Sequence, residues 1–213
     1  MIDERHGNDM THIYFVRHAL PEHRWEIDRT RPLTDEGRGD TQKVSETLRD
    51  IKLDYAISSP YIRSMDTIKE CVMEHGLVMD LDERFRERER GIHNNAKMLS
   101  RRWEDFEFHE EQGESLGMVQ RRNIEALKEV LSAHAGENIL IGTHATALST
   151  ILNYYDPTYN CESFMRIINC MPFMIRLDFD GQECVGKEEL LIVDKDVTEY
   201  NKAYKSVSTL NHK

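Results

Sequence analysis

Short apolar segments, most of them followed by a helix-like pattern, constrain the fold of this chain more than any other feature of its sequence. Several of these segments are apolar on consecutive residues, which is typical of strands that are buried on both faces of a parallel sheet. The predicted strands span residues 13–16, 55–58, 77–81, 138–143, 173–179 and 189–193. The pattern predicts an α/β fold, a three-layer α/β/α sandwich with a mostly parallel central sheet.

The predicted helices begin at recognisable capping residues. Thr34 stands before two acidic residues and Ser115 before an apolar stripe, so each predicts an N-cap. Ser59 and Pro60 predict an N-cap and a first helical position. The predicted helices run over residues 35–51, 60–74, 115–134 and 145–154.

The domain organisation is also readable from the pattern. Residues 82–113 are charged, aromatic and poorly periodic, which predicts an excursion over the surface, and we treat them as a lid candidate. The chain has 213 residues and no linker-like stretch, so we expect a single domain over residues 12–213. Residues 1–11 are predicted to be a tail; they contain the triplet Arg5-His6-Gly7, which follows no strand.

Charge and cysteine content narrow the classes of function. The net charge of −11 opposes non-specific binding to nucleic acid or to an anionic membrane, so an anionic substrate would need a local positive pocket. The four cysteines are widely spaced without a Cys-x-x-Cys pair, which favours reduced thiols over a disulfide framework or a zinc site. The early apolar run is too short for a signal peptide or a membrane span. We therefore expect a soluble cytoplasmic protein without nucleic-acid or membrane partners.

Polar groups follow three of the predicted strands. Arg17 and His18 follow the first strand, Arg63 lies shortly after the second, and His144 follows residues 138–143. Ligands of open α/β sheets bind at the carboxyl ends of the strands, so we expect these side chains to share one rim. A neutral imidazole can attack phosphorus while cationic groups hold the phosphoryl oxygens. The combination indicates phosphoryl transfer, and this chemistry requires no metal.

Six segments, in order, resemble the histidine phosphatase superfamily, which is also called phosphoglycerate-mutase-like. They are Val16-Arg17-His18, residues 32–37, residues 58–67, residues 86–91, Gly113-Glu114-Ser115 and Gly142-Thr143-His144. The resemblance covers about residues 12–155 and implies that residues 12–213 are a catalytic domain. It implies that His18 is the phosphorylated nucleophile, and that Arg17, His18, Arg63 and His144 bind the substrate phosphate. It implies neither a cofactor nor a metal.

The proton donor is chosen by the resemblance alone. Glu83, Glu87 and Glu89 lie close together, and their spacing does not decide among them. The acid of the family stands four residues before a glycine, as Glu87 stands before Gly91. The resemblance therefore implies that Glu87 is catalytic and protonates the leaving group.

Two departures from the family pattern leave alternatives open. Ala19 and Ala145 stand where the family usually has a glycine after each histidine, and their methyl groups either narrow the pocket or leave it intact. Residues 20–24, Leu-Pro-Glu-His-Arg, do not show the family's acidic or hydroxyl residue followed by an asparagine. Arg24 is either a replacement cation or a solvated surface residue, which we favour. Two further arginine pairs, residues 101–102 and 121–122, either admit a polyanionic substrate or lie on exposed helix faces, which we favour.

We predict a phosphomonoesterase that acts on a small phosphorylated metabolite through a phosphohistidine. The first alternative is a phosphoglycerate-type mutase, which uses the same intermediate and returns the phosphoryl group to another oxygen. With 213 residues the chain is closer in length to the compact phosphatases of the family, which favours hydrolysis. The second alternative is a non-catalytic phosphate-binding module, which would be expected to lack one of the core groups. The sequence identifies neither the ester nor the oligomeric state.

Overall fold

One central sheet organises the chain in the computed structural model, which describes residues 10–92 and 95–196. Within these residues the strand order is β3-β2-β4-β1-β5-β6. The strands are β1 Met10–Arg17, β2 Tyr55–Ser58, β3 Met79–Leu81, β4 Asn138–Thr143, β5 Cys170–Asp180 and β6 Glu183–Asp194. Strands β1 to β4 pair with one another in parallel, whereas β5 pairs antiparallel with both β1 and β6. The predicted fold class, with a mostly parallel sheet, is confirmed.

Helices cover both faces of this sheet. They are α1 Asp35–Leu48, α2 Ile62–Glu74, α3 Leu99–Glu104, α4 Leu116–Ala133, α5 Ala145–Tyr155 and α6 Cys161–Ile167. On one face, Val16 of β1 belongs to a buried cluster that includes residues of α1 and α2. On the other face, Phe15 belongs to a cluster that includes residues of α4 and α5. Successive strand residues thus enter opposite cores, and this produces the three layers.

Two of the three predicted helix caps are confirmed. The Thr34 hydroxyl accepts a hydrogen bond from the Gly37 N–H at 3.0 Å, and the Ser115 hydroxyl accepts one from the Met118 N–H at 3.1 Å. The predicted start at Ser59 and Pro60 is wrong, because α2 begins at Ile62 after an N-cap residue without a side-chain capping bond. The hydroxyl of Ser59 instead lies 2.7 Å from a ring nitrogen of His144.

Other boundaries also differ from the expectation. The third strand begins at Met79 and not at residue 77, and the two closing strands are longer than predicted because they pair as an antiparallel hairpin. Helix α6 was not predicted; its N-cap is Asn160, whose side chain accepts two backbone N–H bonds. Strand β1 begins at Met10, two residues before the expected domain boundary. The triplet Arg5-His6-Gly7 lies outside the described residues.

The segment named the lid candidate, residues 82–113, contains little regular structure where it is described. It forms two short 3-10 helices, Glu83–Phe85 and Ala96–Met98, followed by α3. The segment is also packed against the rest of the fold, since Phe85 is completely buried in the hydrophobic cluster that includes residues of α4 and α5.

No helix among residues 10–92 and 95–196 has the length and apolar character needed to cross a membrane. The four cysteines are free thiols, as expected.

The strand register brings the predicted polar groups to one edge. Arg17 at the end of β1 is paired with Thr143 at the end of β4, and Ser58 at the end of β2 is paired with Gly142. The carboxyl ends of three adjacent parallel strands therefore meet, which confirms the common rim.

Candidate active site

His18 directly follows β1 and is buried at this edge, with 6% of its surface exposed. Its backbone N–H donates to the Thr143 carbonyl at 3.2 Å, which extends the β1–β4 pairing by one residue. Its ring Nδ1 lies 2.8 Å from the carbonyl oxygen of Ala19. A carbonyl can only accept, so Nδ1 carries the proton and Nε2 keeps the lone pair. The ring lines a cavity at the rim, with Nε2 as the nitrogen able to attack.

The two alanines that replace the family's glycines have different positions. Ala19 is completely buried, donates its N–H to the Thr67 hydroxyl at 2.9 Å and is not among the residues that line the cavity. Ala145, the first residue of α5, does line the cavity. The methyl group of Ala19 thus leaves the cavity unchanged, whereas that of Ala145 forms part of its wall.

His144 stands immediately before α5 and is completely buried. Its ring makes an edge-on contact with the ring of His18, with centroids 5.3 Å apart. Its Nε2 lies 2.7 Å from the hydroxyl of Ser59, which also accepts the Tyr61 N–H at 3.3 Å. Within the described part of the chain, its Nδ1 is buried without a hydrogen-bond partner. The contact with Ser59 was missed in the sequence because the serine matched a helix cap.

The surroundings keep both histidines neutral. Burial lowers the pKa of His18 well below the ordinary value of 6.5, and the positive charges of Arg63 and Arg17 lower it further. Burial likewise lowers the pKa of His144, again with Arg63 as the next contribution. A neutral imidazole is the form that a nucleophilic histidine requires.

Arg17 is fixed by backbone carbonyl groups at the end of α6 and the start of β5. Its guanidinium donates to the carbonyl oxygens of Ile167 at 2.5 Å, Ile168 at 3.0 Å and Cys170 at 3.1 Å. The C-terminal end of a helix carries partial negative charge, which favours a buried cation there. The side chain is 3% exposed and lines the cavity.

Arg63, in the first turn of α2, is held by Asp28 of a short 3-10 helix, Asp28–Thr30, that the sequence analysis did not single out. Its Nη1 donates to the backbone carbonyl of Asp28 at 2.6 Å, and its Nη2 lies 3.3 Å from the Asp28 carboxylate. Its guanidinium carbon is 4.9 Å from the centre of the Tyr61 ring. These contacts orient a buried cation at the wall of the cavity beside His18.

Of the three candidate proton donors, Glu87 alone lines the cavity. Its Oε1 accepts the Arg88 N–H at 2.8 Å, and its Oε2 accepts the Thr146 N–H in the first turn of α5 at 3.2 Å. Glu83 is exposed and pairs with Arg29 at the surface, and Glu89 is also exposed. The structure therefore brings Glu87 to the same cavity as His18.

The cavity wall is rich in positive charge. Besides Arg17 and Arg63, it contains four arginines that the sequence analysis did not assign to it: Arg31, Arg88, Arg90 and Arg102. Glu87 is the one acidic side chain among the described lining residues. In a chain with a net charge of −11, this is the local positive pocket that an anionic substrate requires.

The arginines expected on exposed helix faces divide into two groups. Arg101 and Arg121 are exposed, as favoured, but Arg102 is buried and pairs with Glu110. Arg122 is also largely buried, with 14% of its side chain exposed. Arg24 is exposed at the surface and does not line the cavity. Acidic partners brought near by the fold explain the two buried cations.

The described residues include no cluster of three or more histidine, cysteine, aspartate or glutamate side chains arranged to hold a metal ion.

Comparison with known proteins gives consistent results. The family model described as histidine phosphatase superfamily, branch 1, matches residues 13–187. A probable phosphoglycerate mutase GpmB of Yersinia pestis is 28% identical over 188 residues, which are 80% of this chain and 86% of that protein. A mycobacterial glucosyl-3-phosphoglycerate phosphatase has a similar fold, with a TM-score of 0.70, 16% identity and coverage of 87% of this chain and 100% of that chain. A phosphoserine phosphatase of Entamoeba histolytica has a TM-score of 0.70 at 15% identity, over 84% and 96% of the two chains.

Proposed function

The chain belongs to the histidine phosphatase superfamily, whose members transfer phosphoryl groups, and on this premise we propose that it is a phosphomonoesterase acting on a small phosphorylated metabolite. The supporting observation is the state of His18. Its Nδ1 proton is directed to the Ala19 carbonyl, its ring is neutral, and its Nε2 is left as the nucleophile beside a cavity lined by arginines. We assign His18 as the residue that is phosphorylated.

In the first step, Nε2 of His18 attacks phosphorus while the bond from phosphorus to the ester oxygen breaks. Arg63 and Arg17 supply positive charge where the phosphoryl oxygens lie, which stabilises the transition state. Glu87 gives its proton to the departing alkoxide. The imidazole becomes a phosphorylated cation, and its Nδ1–H remains bonded to the Ala19 carbonyl.

In the second step, water attacks the phosphorus of phosphohistidine. Glu87, ionised after the first step, accepts a proton from that water, and the bond from nitrogen to phosphorus breaks. Inorganic phosphate leaves and His18 returns to the neutral state. Glu87 ends protonated, so the cycle balances.

His144 is not among the residues that line the cavity, but its ring contacts that of His18, and in this scheme it contributes a hydrogen-bond donor. The Ser59 hydroxyl accepts the Tyr61 N–H and lies 2.7 Å from Nε2 of His144, and we assign the hydroxyl proton to that nitrogen. The neutral ring then carries its proton on Nδ1. We assign this buried N–H to a phosphoryl oxygen.

A phosphoglycerate-type mutase is the second candidate. It is favoured by the relative named a probable phosphoglycerate mutase, which is 28% identical over 86% of its own length. The arginine-rich wall suits either function, because both accommodate a substrate with an anionic group in addition to the reacting phosphate. A non-catalytic phosphate-binding module is disfavoured, because the nucleophile, both arginines, the second histidine and the acid are all present.

A phosphate-release screen tests this function. The panel contains sugar phosphates, phosphoglycerates, phosphoserine, nucleotides and phosphopeptides, each assayed with and without a bisphosphate primer, and His18→Ala is the control. Steady release of phosphate without primer supports hydrolysis. Isomerisation that depends on the primer, with little release, would identify a mutase. If the protein neither hydrolyses nor isomerises any ester of the panel, the binding module is the function that remains.

A further inference from the structure

A pair of arginines outside the reacting groups holds the main chain around Glu87. Arg122 of α4 donates through Nη1 to the carbonyl oxygens of Arg84 at 2.6 Å and Arg86 at 2.8 Å. Through Nη2 it donates to the carbonyl of Glu87 at 3.2 Å. Arg86 donates to the same Glu87 carbonyl at 3.1 Å. The backbone of Glu87 is thus fixed by two guanidinium groups.

Glu114 joins these two arginines. Its carboxylate accepts from Arg86 at 2.6 and 2.9 Å and from Arg122 at 2.9 Å through both Nε and Nη2. It also accepts the backbone N–H of Glu89 at 2.9 Å. Five hydrogen bonds therefore converge on one carboxylate, and two of its partners, Arg86 and Glu89, lie within two residues of Glu87 in the chain. Paired, planar bonds of this kind set geometry more tightly than a point charge does.

The cluster is ionised over a wide range of pH. Burial alone would raise the pKa of Glu114, but hydrogen bonds from Arg122 and Arg86 outweigh burial and bring the pKa to about 2. Partly buried ion clusters contribute little net stability compared with apolar side chains of similar volume. The cluster is therefore better explained by the fixed position that it gives to the local main chain than by a contribution to net stability.

We propose that Glu114 and Arg122 are positioning residues that place the carboxyl group of Glu87 against the leaving group. The inference rests on the proposed function, in which Glu87 is the acid. The Glu87 carboxyl group itself is bonded to two backbone N–H groups, one in its own loop and one in α5. A shift of the loop relative to α5 would therefore separate the acid from the ester oxygen without removing any reacting group.

The test is a leaving-group comparison under single-turnover conditions. Phosphorylation of the enzyme is timed with an alkyl phosphate and with nitrophenyl phosphate for Glu114→Gln, Arg122→Lys and Glu87→Gln. The basic alkoxide needs a proton and nitrophenolate does not, so each variant should lose at least about ten times more rate with the alkyl ester. Adding Glu114→Gln to Glu87→Gln should cause no further alkyl-selective loss.

Arg121→Lys is the matched control. This neighbour is 62% exposed and pairs with Glu107 at the surface, so its variant should keep both rates. Glu114→Gln preserves shape and keeps the test available if Arg122→Lys does not fold. Equal losses for both esters in the Glu114 and Arg122 variants, with an alkyl-selective loss in Glu87→Gln, would overturn the positioning role alone. The absence of selectivity in Glu87→Gln would overturn the acid assignment and the inference together.

Discussion

Acidification from pH 7.5 to 5.5 should leave the nucleophile of the first step active. A histidine with the ordinary pKa of about 6.5 would be about nine-tenths protonated at pH 5.5, and its reactive fraction would fall about tenfold. Burial and then Arg63 and Arg17 lower the pKa of His18 well below 6.5. We therefore expect protonation of His18 to cause a loss much smaller than tenfold.

Two measurements check this expectation. Rapid-quench phosphorylation with nitrophenyl phosphate gives the rate across the pH range, after correction for ionisation of the substrate phosphate near pH 6. Nuclear magnetic resonance of labelled imidazole groups in the substrate-free protein follows His18 directly, with His18→Asn used for assignment. A titration midpoint near 6.5 for His18, or a corrected tenfold loss of rate, would refute the electrostatic argument.

The lowered pKa values of the two histidines also make the stability of the protein depend on pH. Below about pH 6.5 the unfolded chain protonates His18 and His144 while the folded chain does not, so the unfolded state binds more protons. Their contribution to stability is complete above pH 6.5 and is lost as the pH falls towards their folded pKa values. Each accounts for up to about 1.4 kcal/mol per pH unit. Free energies of unfolding, measured with urea between pH 6 and 5, should therefore change less steeply with pH in His18→Asn. The difference in slope should be about this amount per pH unit.

Three further outcomes are expected. Glu87→Gln should slow phosphorylation by alkyl phosphates by a factor of roughly 10² to 10⁴ and affect nitrophenyl phosphate much less, which single-turnover rates would show; equal losses would remove Glu87 from the role of acid. Gly37→Ala should lower the free energy of unfolding, measured with urea, by about 1–3 kcal/mol, because its methyl group would overlap the Leu20 carbonyl oxygen. The control is Gly39→Ala in the same helix, whose methyl group meets nothing within 4 Å and should raise that free energy by up to about 1 kcal/mol. Chelation should leave turnover unchanged, since side chains supply the positive charge, and a loss restored by zinc or magnesium would argue against this pocket.

The strands were the most predictable elements because their signal is local. Residues 55–58 and 138–143 coincide with β2 and β4, whose apolar residues enter cores on both faces. The start of α2 was mispredicted because Ser59 contacts His144, a partner 85 positions away that no local capping pattern contains. Helix α6 is only seven residues long, too short for a clear periodicity.

The site was predictable where topology alone assembles it. Arg17, His18 and His144 follow neighbouring parallel strands, so their proximity results from the sheet itself. Glu87 lies in a segment without periodicity, and only the family resemblance distinguished it from its neighbours. Arg102 was expected at the surface, because the sequence does not reveal that Glu110 folds against it.

Trapping of the phosphoenzyme tests the central claim most directly. The enzyme is mixed with a substrate labelled in its phosphate, quenched, and digested under alkaline conditions so that peptides can be mapped by mass spectrometry. The proposed mechanism predicts an acid-labile phosphoryl adduct on His18, formed faster than phosphate is released and absent, together with turnover, in His18→Ala. Turnover that survives His18→Ala, or an adduct that maps to another residue, would contradict the mechanism.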